Sequence, residues 1–196
     1  MKDKKVIIDT NIFVNPDSFK HLGKNPEEAL SSFLLSVEAC KNIKVYVPPS
    51  VFVEMEKFIK LDKIESKLLS LISKKPPSKY EIFVPAMFLY EFVEETRFRT
   101  NKGLRIVEKY IGKASKSQNL DDLIRSSRQE YRVAMREGIV DSREDIDLIV
   151  LAKELKALLA TSDQGLIKWA DKMGIEVVSV KELKSIFTLA SSQKKK

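Results

Sequence analysis

The sequence predicts an α/β fold in which a mostly parallel sheet is flanked by helices. Short apolar runs rich in β-branched residues occur at 6–8, 45–47, 158–160 and 176–180, and longer stretches with helical spacing separate them. Parallel strands need long crossover connections, usually helices, so this alternation favours a parallel sheet. A block at 86–138 contains no strand pattern and predicts an inserted αα-hairpin.

The first strand ends in a carboxylate. Residues 6–8 are Val, Ile and Ile, and Asp9, Thr10 and Asn11 follow directly. A continuous β-branched run is typical of a strand buried on both faces of a parallel sheet. An acid at the end of such a strand is costly to desolvate unless something cationic compensates its charge. Asp9 is therefore the acid that is hardest to explain as purely structural.

Glu54 is expected to lie close to the end of the second strand. Two prolines and Ser50 follow residues 45–47, and they predict a turn with Ser50 as the N-cap of a helix over 51–60. That helix places Glu54 in its first turns, pointing back towards the strand ends. The spacing from Ser50 to Glu54 is one residue too long for a capping box, which leaves the role of Glu54 open.

The inserted block is predicted to be two helices joined by a turn at 115–119. Pro76 and Pro77 mark a break before it, since they stop the preceding helix and favour extended backbone. Asn119 is the expected N-cap of the second helix and Gly138 its C-cap. Apolar residues with helical spacing are Leu104, Val107, Ile111 and Ala114, then Ile124, Tyr131 and Ala134. This stripe is narrow, and two exposed helices rarely stand alone, so a partner subunit is expected.

The excess positive charge of the chain belongs to this hairpin. Eleven basic and four acidic side chains lie between Arg97 and Arg136, which gives +7, the net charge of the whole chain. The remaining basic and acidic residues balance, at 24 each. The basic residues are Arg97, Arg99, Lys102, Arg105, Lys109, Lys113, Lys116, Arg125, Arg128, Arg132 and Arg136. A basic surface of this kind indicates a polyanionic partner.

Three more acids are expected at the edge of the sheet where Asp9 lies. Asp141 and Asp145 are four residues apart at the start of a helical pattern, so a helix could point both the same way. Asp163 follows the strand at 158–160, as Asp9 follows the first strand. Ligands of open α/β sheets bind outside the carboxyl ends of the strands.

Each of these acids also has a structural explanation. Ser142 and Asp145 match a capping box, and Asp163 fits the N-cap of a helix that begins near Gln164. Glu54 by itself would be an ordinary solvated helix residue. The constellation as a whole is more informative than any of its members.

Carboxylates without histidine or cysteine partners suit a hard cation. The chain has one cysteine, Cys40, and one histidine, His21, so zinc fingers, Cys–His nucleophile pairs and multi-histidine metal sites lack their ligands. Magnesium takes oxygen ligands, and at such a site it polarises a phosphate and lowers the pKa of a bound water. The acids and the basic hairpin together predict metal-dependent phosphodiester hydrolysis of a nucleic acid.

The composition is that of a folded cytoplasmic protein. With 196 residues and 43% hydrophobic content the chain can bury a sizeable core, as one domain or one domain with an insertion. No apolar run approaches the roughly 20 residues that span a bilayer, so no membrane association is expected. The predicted organisation is a discontinuous sheet domain over 1–85 and 139–190, the basic hairpin over 86–138, and a disordered tail over 191–196.

These motifs together resemble a known family. The segments that carry the likeness cover nearly the whole chain: Ile8-Asp9-Thr10-Asn11-Ile12-Phe13, Tyr90-Glu91-Phe92-Val93-Glu94-Glu95, Asn101-Lys102-Gly103-Leu104-Arg105-Ile106, Gly138-Ile139-Val140-Asp141-Ser142-Arg143-Glu144-Asp145-Ile146-Asp147 and Thr161-Ser162-Asp163. The first and last of these segments, with a helical Glu54 and the spacing between Asp145 and Asp163, resemble a PIN nuclease domain. In combination with the other segments they resemble the HARP family, the small protein-only ribonuclease P of prokaryotes, whose members have also been labelled RNA ligase partner proteins.

The resemblance implies a PIN-like parallel sheet flanked by helices, with an inserted αα-hairpin, and magnesium-dependent removal of the 5′ leader from precursor tRNA. Manganese would be a substitute ion, and neither an RNA subunit nor a protein cofactor would be required. Assembly into homodimers and larger homo-oligomers through the helices is also implied. By position, the catalytic and metal-binding carboxylates would be Asp9, Asp141, Asp145 and Asp163, with Glu54 and Asp147 as further metal ligands. The tRNA contacts would fall on Arg125, Arg128, Arg132 and Arg136, with Arg97 and Arg105.

Two other functions compete with this hypothesis. A toxin-type PIN ribonuclease would cut other RNAs, but the basic hairpin is additional to the minimal domain of that class. A non-catalytic RNA-binding partner of an RNA-processing complex would keep the acids for structure alone. Cleavage assays on the Asp9→Ala and Asp145→Asn variants discriminate between the enzyme and the binding module.

Overall fold

The structure is a computed structural model that describes residues 3–40, 42–114, 119–136 and 142–192. The chain forms two compact units. The first contains Met1–Phe83 and Ser142–Lys196, and the second contains Val84–Asp141. The hairpin predicted from the sequence spans 86–138, within the second unit. None of the helices in the described ranges is both long and apolar enough to cross a membrane.

The first unit is built on a five-stranded parallel sheet with the strand order β3-β2-β1-β4-β5. Its strands are β1 (Lys4–Ile8), β2 (Ile43–Val47), β3 (Ile72–Lys74), β4 (Leu158–Ala160) and β5 (Val177–Val178). Ile7 pairs with Tyr46 of β2, and Ile8 pairs with Ala160 of β4. The carboxyl ends of β1 and β4 are therefore level, which brings the residues after them to one place. The predicted α/β class with a parallel sheet is confirmed.

Helices of the first unit connect and cover these strands. They are α1 (Asn11–Val14), α2 (Pro16–Phe19), α3 (Pro26–Ala39), α4 (Pro49–Phe58), α5 (Ser66–Leu69), α8 (Arg143–Leu155), α9 (Gln164–Lys172) and α10 (Val180–Ser192). The ring of Phe33 on α3 lies edge-on to Phe13 and Phe187, with centroids 5.4 Å apart in both pairs. This aromatic cluster ties α10 to α3 in the core.

Four details of the sequence prediction were wrong. The last strand is shorter than 176–180, because Ser179 and Glu182 form a capping box that starts α10: the Ser179 backbone N–H donates to Glu182 Oε2 at 2.7 Å. Strand β3 was missed, since only its first residue is buried, and this strand, rather than a helix, precedes the proline break.

Helix α4 begins at Pro49, so Ser50 lies inside the helix and does not cap it. Helix α10 continues to Ser192, into the predicted tail, and 193–196 lie outside the described residues.

The second unit is a pair of helices, α6 (Ala86–Ala114) and α7 (Leu120–Arg136). Arg99 contacts Met135 and Gly103 faces Tyr131, so the contacts run in opposite order along the two helices, which are antiparallel. A methyl group built on Gly103 would come within 2.7 Å of Tyr131 Cε2, so the glycine is what allows this close approach. Asn119 Oδ1 accepts a bond from the Asp122 backbone N–H at 3.3 Å, which confirms the predicted N-cap.

The inner seam of this hairpin differs from the apolar stripe in the sequence. On α6 the buried residues are Arg99, Gly103 and Ile106. The stripe of Leu104, Val107 and Ile111 is exposed instead, at 57%, 42% and 67%. It is therefore available to another molecule. The predicted turn at 115–118 and the predicted C-cap, Gly138, lie outside the described residues.

Candidate functional site

Asp9 lies at the carboxyl end of β1 and is only 4% exposed. Its backbone N–H donates to the Ala160 carbonyl at 3.0 Å, which extends the pairing of β1 with β4 by one residue. The Thr161 hydroxyl donates to Asp9 Oδ2 at 2.5 Å, and the Asn11 backbone N–H donates to Oδ1 at 3.2 Å. Both carboxylate oxygens are thus oriented by hydrogen bonds from residues that follow the two strands.

The electrostatics of Asp9 are those of a buried carboxylate without a cationic partner, within the described residues, among the causes of its pKa shift. The pKa of Asp9 is raised from 3.8 to about 6, mainly by burial and to a smaller extent by the nearby carboxylate of Asp163. The hydrogen bonds from Thr161 and Asn11 oppose this rise but do not cancel it. A cation beside Asp9 would stabilise its ionised form, since an opposite charge lowers the pKa of a carboxyl group.

Asp163 faces the same end of the sheet and also starts a helix. Its Oδ1 accepts a bond from the Leu166 backbone N–H at 2.8 Å, so the N-cap role predicted for Asp163 is confirmed. The Asp163 backbone N–H donates to the Thr161 hydroxyl at 3.0 Å. Thr161 therefore bonds to both acids, and it is a site residue that sequence reasoning missed. The hydroxyl after a short apolar strand was its only signal.

Glu54 on α4 lies beside the end of β1. The Thr10 hydroxyl is 3.4 Å from Glu54 Oε2 and links the residue after Asp9 to the helix. Partial burial raises the pKa of Glu54, and the carboxylate of Glu144 on α8 raises it further. The expectation that Glu54 points back towards the strand ends is confirmed. Glu144 was missed, because in the sequence it is one acid among several at the start of a helix.

Asp145 and Asp147 lie on the first turns of α8. The Ser142 hydroxyl accepts a bond from the Asp145 backbone N–H at 3.0 Å, so Ser142 is the N-cap of this helix, as predicted. Asp145 is half-buried. Asp147 is 6% exposed, forms an ion pair with Lys79 and accepts a hydrogen bond from the Ser50 hydroxyl. Asp141 falls outside the described residues.

The structure thus places Asp9 near Asp163, both predicted, and Glu54 near Glu144, which was not predicted. Within the described ranges, no three acidic, histidine or cysteine side chains lie close enough together to hold a metal ion. The carboxylates of Asp9 and Asp163 and the Thr161 hydroxyl nevertheless offer oxygen donors at the strand ends, which is the donor chemistry that a hard divalent cation prefers. The metal-binding roles of Asp9, Asp141, Asp145 and Asp163 stay predictions.

The arginines assigned to RNA binding are exposed on the hairpin where their side chains are described: Arg97, Arg105, Arg125, Arg128 and Arg132. Arg125, Arg128 and Arg132 line one surface hollow on α7 together with Asp121. Arg136 is the last residue of α7, and its side chain lies outside the described part.

Two of the basic residues counted in the sequence have internal roles. Arg99 is 7% exposed and bonds to Glu95 and to the carbonyls of Ala134 and Met135. Lys109 donates to Glu130 Oε1 at 2.7 Å. Two of the eleven basic side chains are therefore engaged within the hairpin and are less available to a polyanion.

Comparison with known proteins identifies the family. Residues 5–189 match the model of the PINc domain ribonucleases. The chain is 44% identical to the RNA-free ribonuclease P of Thermodesulfovibrio yellowstonii, over 96% of both chains. It is 39% identical to that of Pyrococcus horikoshii, over 94% of this chain and 91% of the relative. For the protein of Thermococcus kodakarensis the identity is 42%, over 89% of each.

Likeness to a solved structure is weaker. A PilT N-terminus domain protein of Sulfolobus solfataricus P2 aligns with a TM-score of 0.42 and 14% identity, over 93% of this chain and 92% of that one. The assignment therefore rests on the sequence relatives and the family model. The chain belongs to the PINc-domain ribonucleases and, among them, to the RNA-free ribonuclease P family.

Proposed function

We propose that this protein is an RNA-free ribonuclease P, an endoribonuclease that removes the 5′ leader from precursor tRNA. The observation that carries the proposal is the 44% identity to an RNA-free ribonuclease P over 96% of both chains. Relatives with the same name occur in archaea and in bacteria. The name of these relatives supports an activity that needs no RNA subunit, and we extend this to the absence of a protein cofactor.

The reaction depends on a divalent metal, as is general among PIN nucleases. We assign Mg²⁺, with Mn²⁺ as a substitute ion, because the donors at the strand ends are oxygens. Asp9, Asp141, Asp145 and Asp163 would hold it, with Glu54 at the edge of the set. A bound ion would supply Lewis-acid chemistry there: it would polarise the scissile phosphate and lower the pKa of a water.

The side chains of the chain itself orient these donors. The Thr161 hydroxyl holds one oxygen of Asp9, and the cap of α9 uses Oδ1 of Asp163, which fixes the rotamer of that side chain. The Thr10 hydroxyl lies against Glu54. Hydrolysis at this site leaves a 5′-phosphate on the mature tRNA and a 3′-hydroxyl on the leader.

The hairpin is proposed to bind the tRNA. Its exposed arginines neutralise phosphates, and the release of counterions from the RNA favours binding. Double-helical RNA is recognised mostly by shape and by contacts to phosphates and 2′-hydroxyls, so little sequence preference is expected. The three exposed arginines of one α7 face, Arg125, Arg128 and Arg132, support this role.

We further propose a homodimer and larger homo-oligomers, in the cytoplasm, with the stripe of Leu104, Val107 and Ile111 as part of an interface between copies. These three side chains are 57%, 42% and 67% exposed, which is unusual for apolar residues along one helix. Oligomers would let the hairpin of one copy bind the tRNA while the acids of another copy meet the cleavage site. Polar substitutions on this stripe that abolish assembly but leave the cleavage rate unchanged would refute this part.

Cleavage of a precursor tRNA tests the proposal directly. Purified protein is incubated with 5′-labelled precursor tRNA and Mg²⁺, alongside an EDTA control and the Asp145→Asn variant. A single cut at the mature 5′ end, lost in both controls, is the expected result. Binding of the precursor without any cut by the wild type would instead favour a non-catalytic RNA-binding protein.

A further inference from the structure

Both carboxylate oxygens of Asp147 already have partners within the protein. The Ser50 hydroxyl donates to Asp147 Oδ2 at 2.7 Å. The ammonium group of Lys79 lies 2.8 Å from Asp147 Oδ1, with side-chain exposures of 48% for Lys79 and 9% for Asp147. We call Ser50, Lys79 and Asp147 the Asp147 cluster.

The Asp147 cluster joins three separate parts of the first unit. Ser50 lies in the first turn of α4, Asp147 lies on α8, and Lys79 lies in the segment that follows β3. The same segment is fixed further along α8, where the Ser78 backbone N–H donates to Glu154 Oε2 at 2.8 Å. Ser50 and Asp147 are 97 residues apart in the chain, so this is a tertiary contact.

The cluster lies one helical turn from the Glu54 and Glu144 pair. Ser50 and Glu54 are four residues apart on α4, and Glu144 and Asp147 are three apart on α8, so each pair shares a helix face. The Ser50–Asp147 bond and the Glu54–Glu144 pair therefore bridge the same two helices at neighbouring levels. The first contact is attractive, whereas the second places two carboxylates of like charge near each other. The bond holds α4 against α8 where the two glutamates would separate them.

The surroundings of Asp147 argue against a direct role as a metal ligand. A divalent cation on Asp147 would share the carboxylate with the Lys79 ammonium group, 2.8 Å from Oδ1, and the two positive charges would repel. Asp147 also lies two residues beyond Asp145, which on a helix turns it by about 200° from the direction of Asp145. Asp147 and Asp145 therefore point in different directions from α8 and contact different groups.

We propose that Asp147 is a positioning residue of the nuclease site, and that Ser50 and Lys79 hold its carboxylate so that α4 and α8 keep Glu54 and Asp145 in the arrangement that binds the divalent cation. The proposal rests on the proposed nuclease function, and it replaces the role of metal ligand that the sequence suggested for Asp147. Lys79 supplies the positive charge that compensates the buried Asp147 carboxylate, since a buried charge left without a partner is strongly destabilising.

The test compares Lys79→Met, Ser50→Ala and the double variant Lys79→Met with Asp147→Asn. The matched control is Lys75→Met, because Lys75 forms an ion pair of the same 2.8 Å length with Glu154, further along α8. Two quantities are measured: the affinity for Mn²⁺, from the electron paramagnetic resonance signal of the free ion, and the single-turnover rate of precursor tRNA cleavage as Mg²⁺ is varied. Thermal unfolding shows that each variant is folded.

Loss of a group that orients metal ligands costs about 10- to 100-fold in metal affinity or activity. We expect a loss of that size for Lys79→Met, a smaller loss for Ser50→Ala, and no change for Lys75→Met. The double variant should recover much of the loss, because asparagine keeps a bond to Ser50 and needs no cation beside it.

The opposite results would overturn the proposal. If Asp147 is a metal ligand, Lys79→Met frees it, so Mn²⁺ binds as tightly as before or more tightly, and the double variant is worse than Lys79→Met alone. A wild type that binds Mn²⁺ but cuts no precursor tRNA would refute the proposed function, while the Mn²⁺ affinities of the variants would still decide the role of Asp147. A wild type that binds no Mn²⁺ would overturn the positioning role as well.

Discussion

Replacement of Asp9 by asparagine should stabilise the metal-free protein at neutral pH. The pKa of Asp9 is raised from 3.8 to about 6, mainly by burial, so the folded chain binds this proton more tightly than the unfolded chain. The stability that protonation of Asp9 contributes is fully present below a pH of about 4 and is lost as the pH rises through about 6. A shift of about two units corresponds to about 3 kcal/mol. The asparagine side chain carries no charge and would still accept the bond from Thr161.

The assay is urea unfolding of the wild type and Asp9→Asn in EDTA at several values between pH 4 and pH 7.5. The two proteins should have similar free energies of unfolding at the acidic end, and the variant should be more stable by about 3 kcal/mol at pH 7.5. Added Mg²⁺ should raise the stability of the wild type alone, since a cation compensates the Asp9 charge. Asp171→Asn, at an exposed acid on α9, is the matched control and should show neither effect.

A difference between wild type and Asp9→Asn that does not change with pH would refute this reasoning. It would mean that the Asp9 carboxylate is compensated within the protein, so that no uncompensated buried charge remains for a cation to stabilise.

Two further predictions concern the hairpin. Arg128→Ala should weaken precursor tRNA binding at every sequence tested and reduce the slope of log affinity against log salt by about 1, as measured by filter binding, whereas Lys181→Ala on α10 should leave both unchanged. A base-specific loss would contradict the phosphate-contact role. Gly112→Ala should raise the stability of the protein by up to about 1 kcal/mol, because nothing lies within 4 Å of the added methyl group. Gly103→Ala should stabilise the protein less than Gly112→Ala, or destabilise it, since its methyl group would lie 2.7 Å from the Tyr131 ring. Equal increases in the thermal unfolding temperature of the two variants would contradict the described packing of α6 against α7.

The sheet could be predicted from the sequence because its strands have a local signal. Residues Val6, Ile7 and Ile8 are almost fully buried, and burial on both faces requires the apolar run that was recognised. Strand β3 has no such run, because one buried residue, Ile72, is enough for a short strand at the sheet edge. The last strand was overestimated, since the capping box of Ser179 and Glu182 outweighs the β propensity of Val180.

The acids of the site could be listed from the sequence, but their environments could not be derived. Asp9 and Asp163 follow strands that pair with each other, so strand position alone places them together. The partners of Asp147 come from distant parts of the chain, and no local pattern marks Ser50 or Lys79. For the same reason the charge count included Arg99, which turns inward on α6.

Arg99 has a consequence for how the hairpin folds. Its guanidinium group bonds to the carbonyls of Ala134 and Met135, which lie in the last turn of α7, where carbonyl groups have no partner within the helix. A positive charge there also interacts favourably with the negative end of the helix dipole. The end of α7 is thus completed by a side chain of α6, more than 30 residues earlier in the chain. Neither helix is fully satisfied alone, so the two should form and melt as one cooperative unit, and an isolated α7 peptide should fray from its last turn.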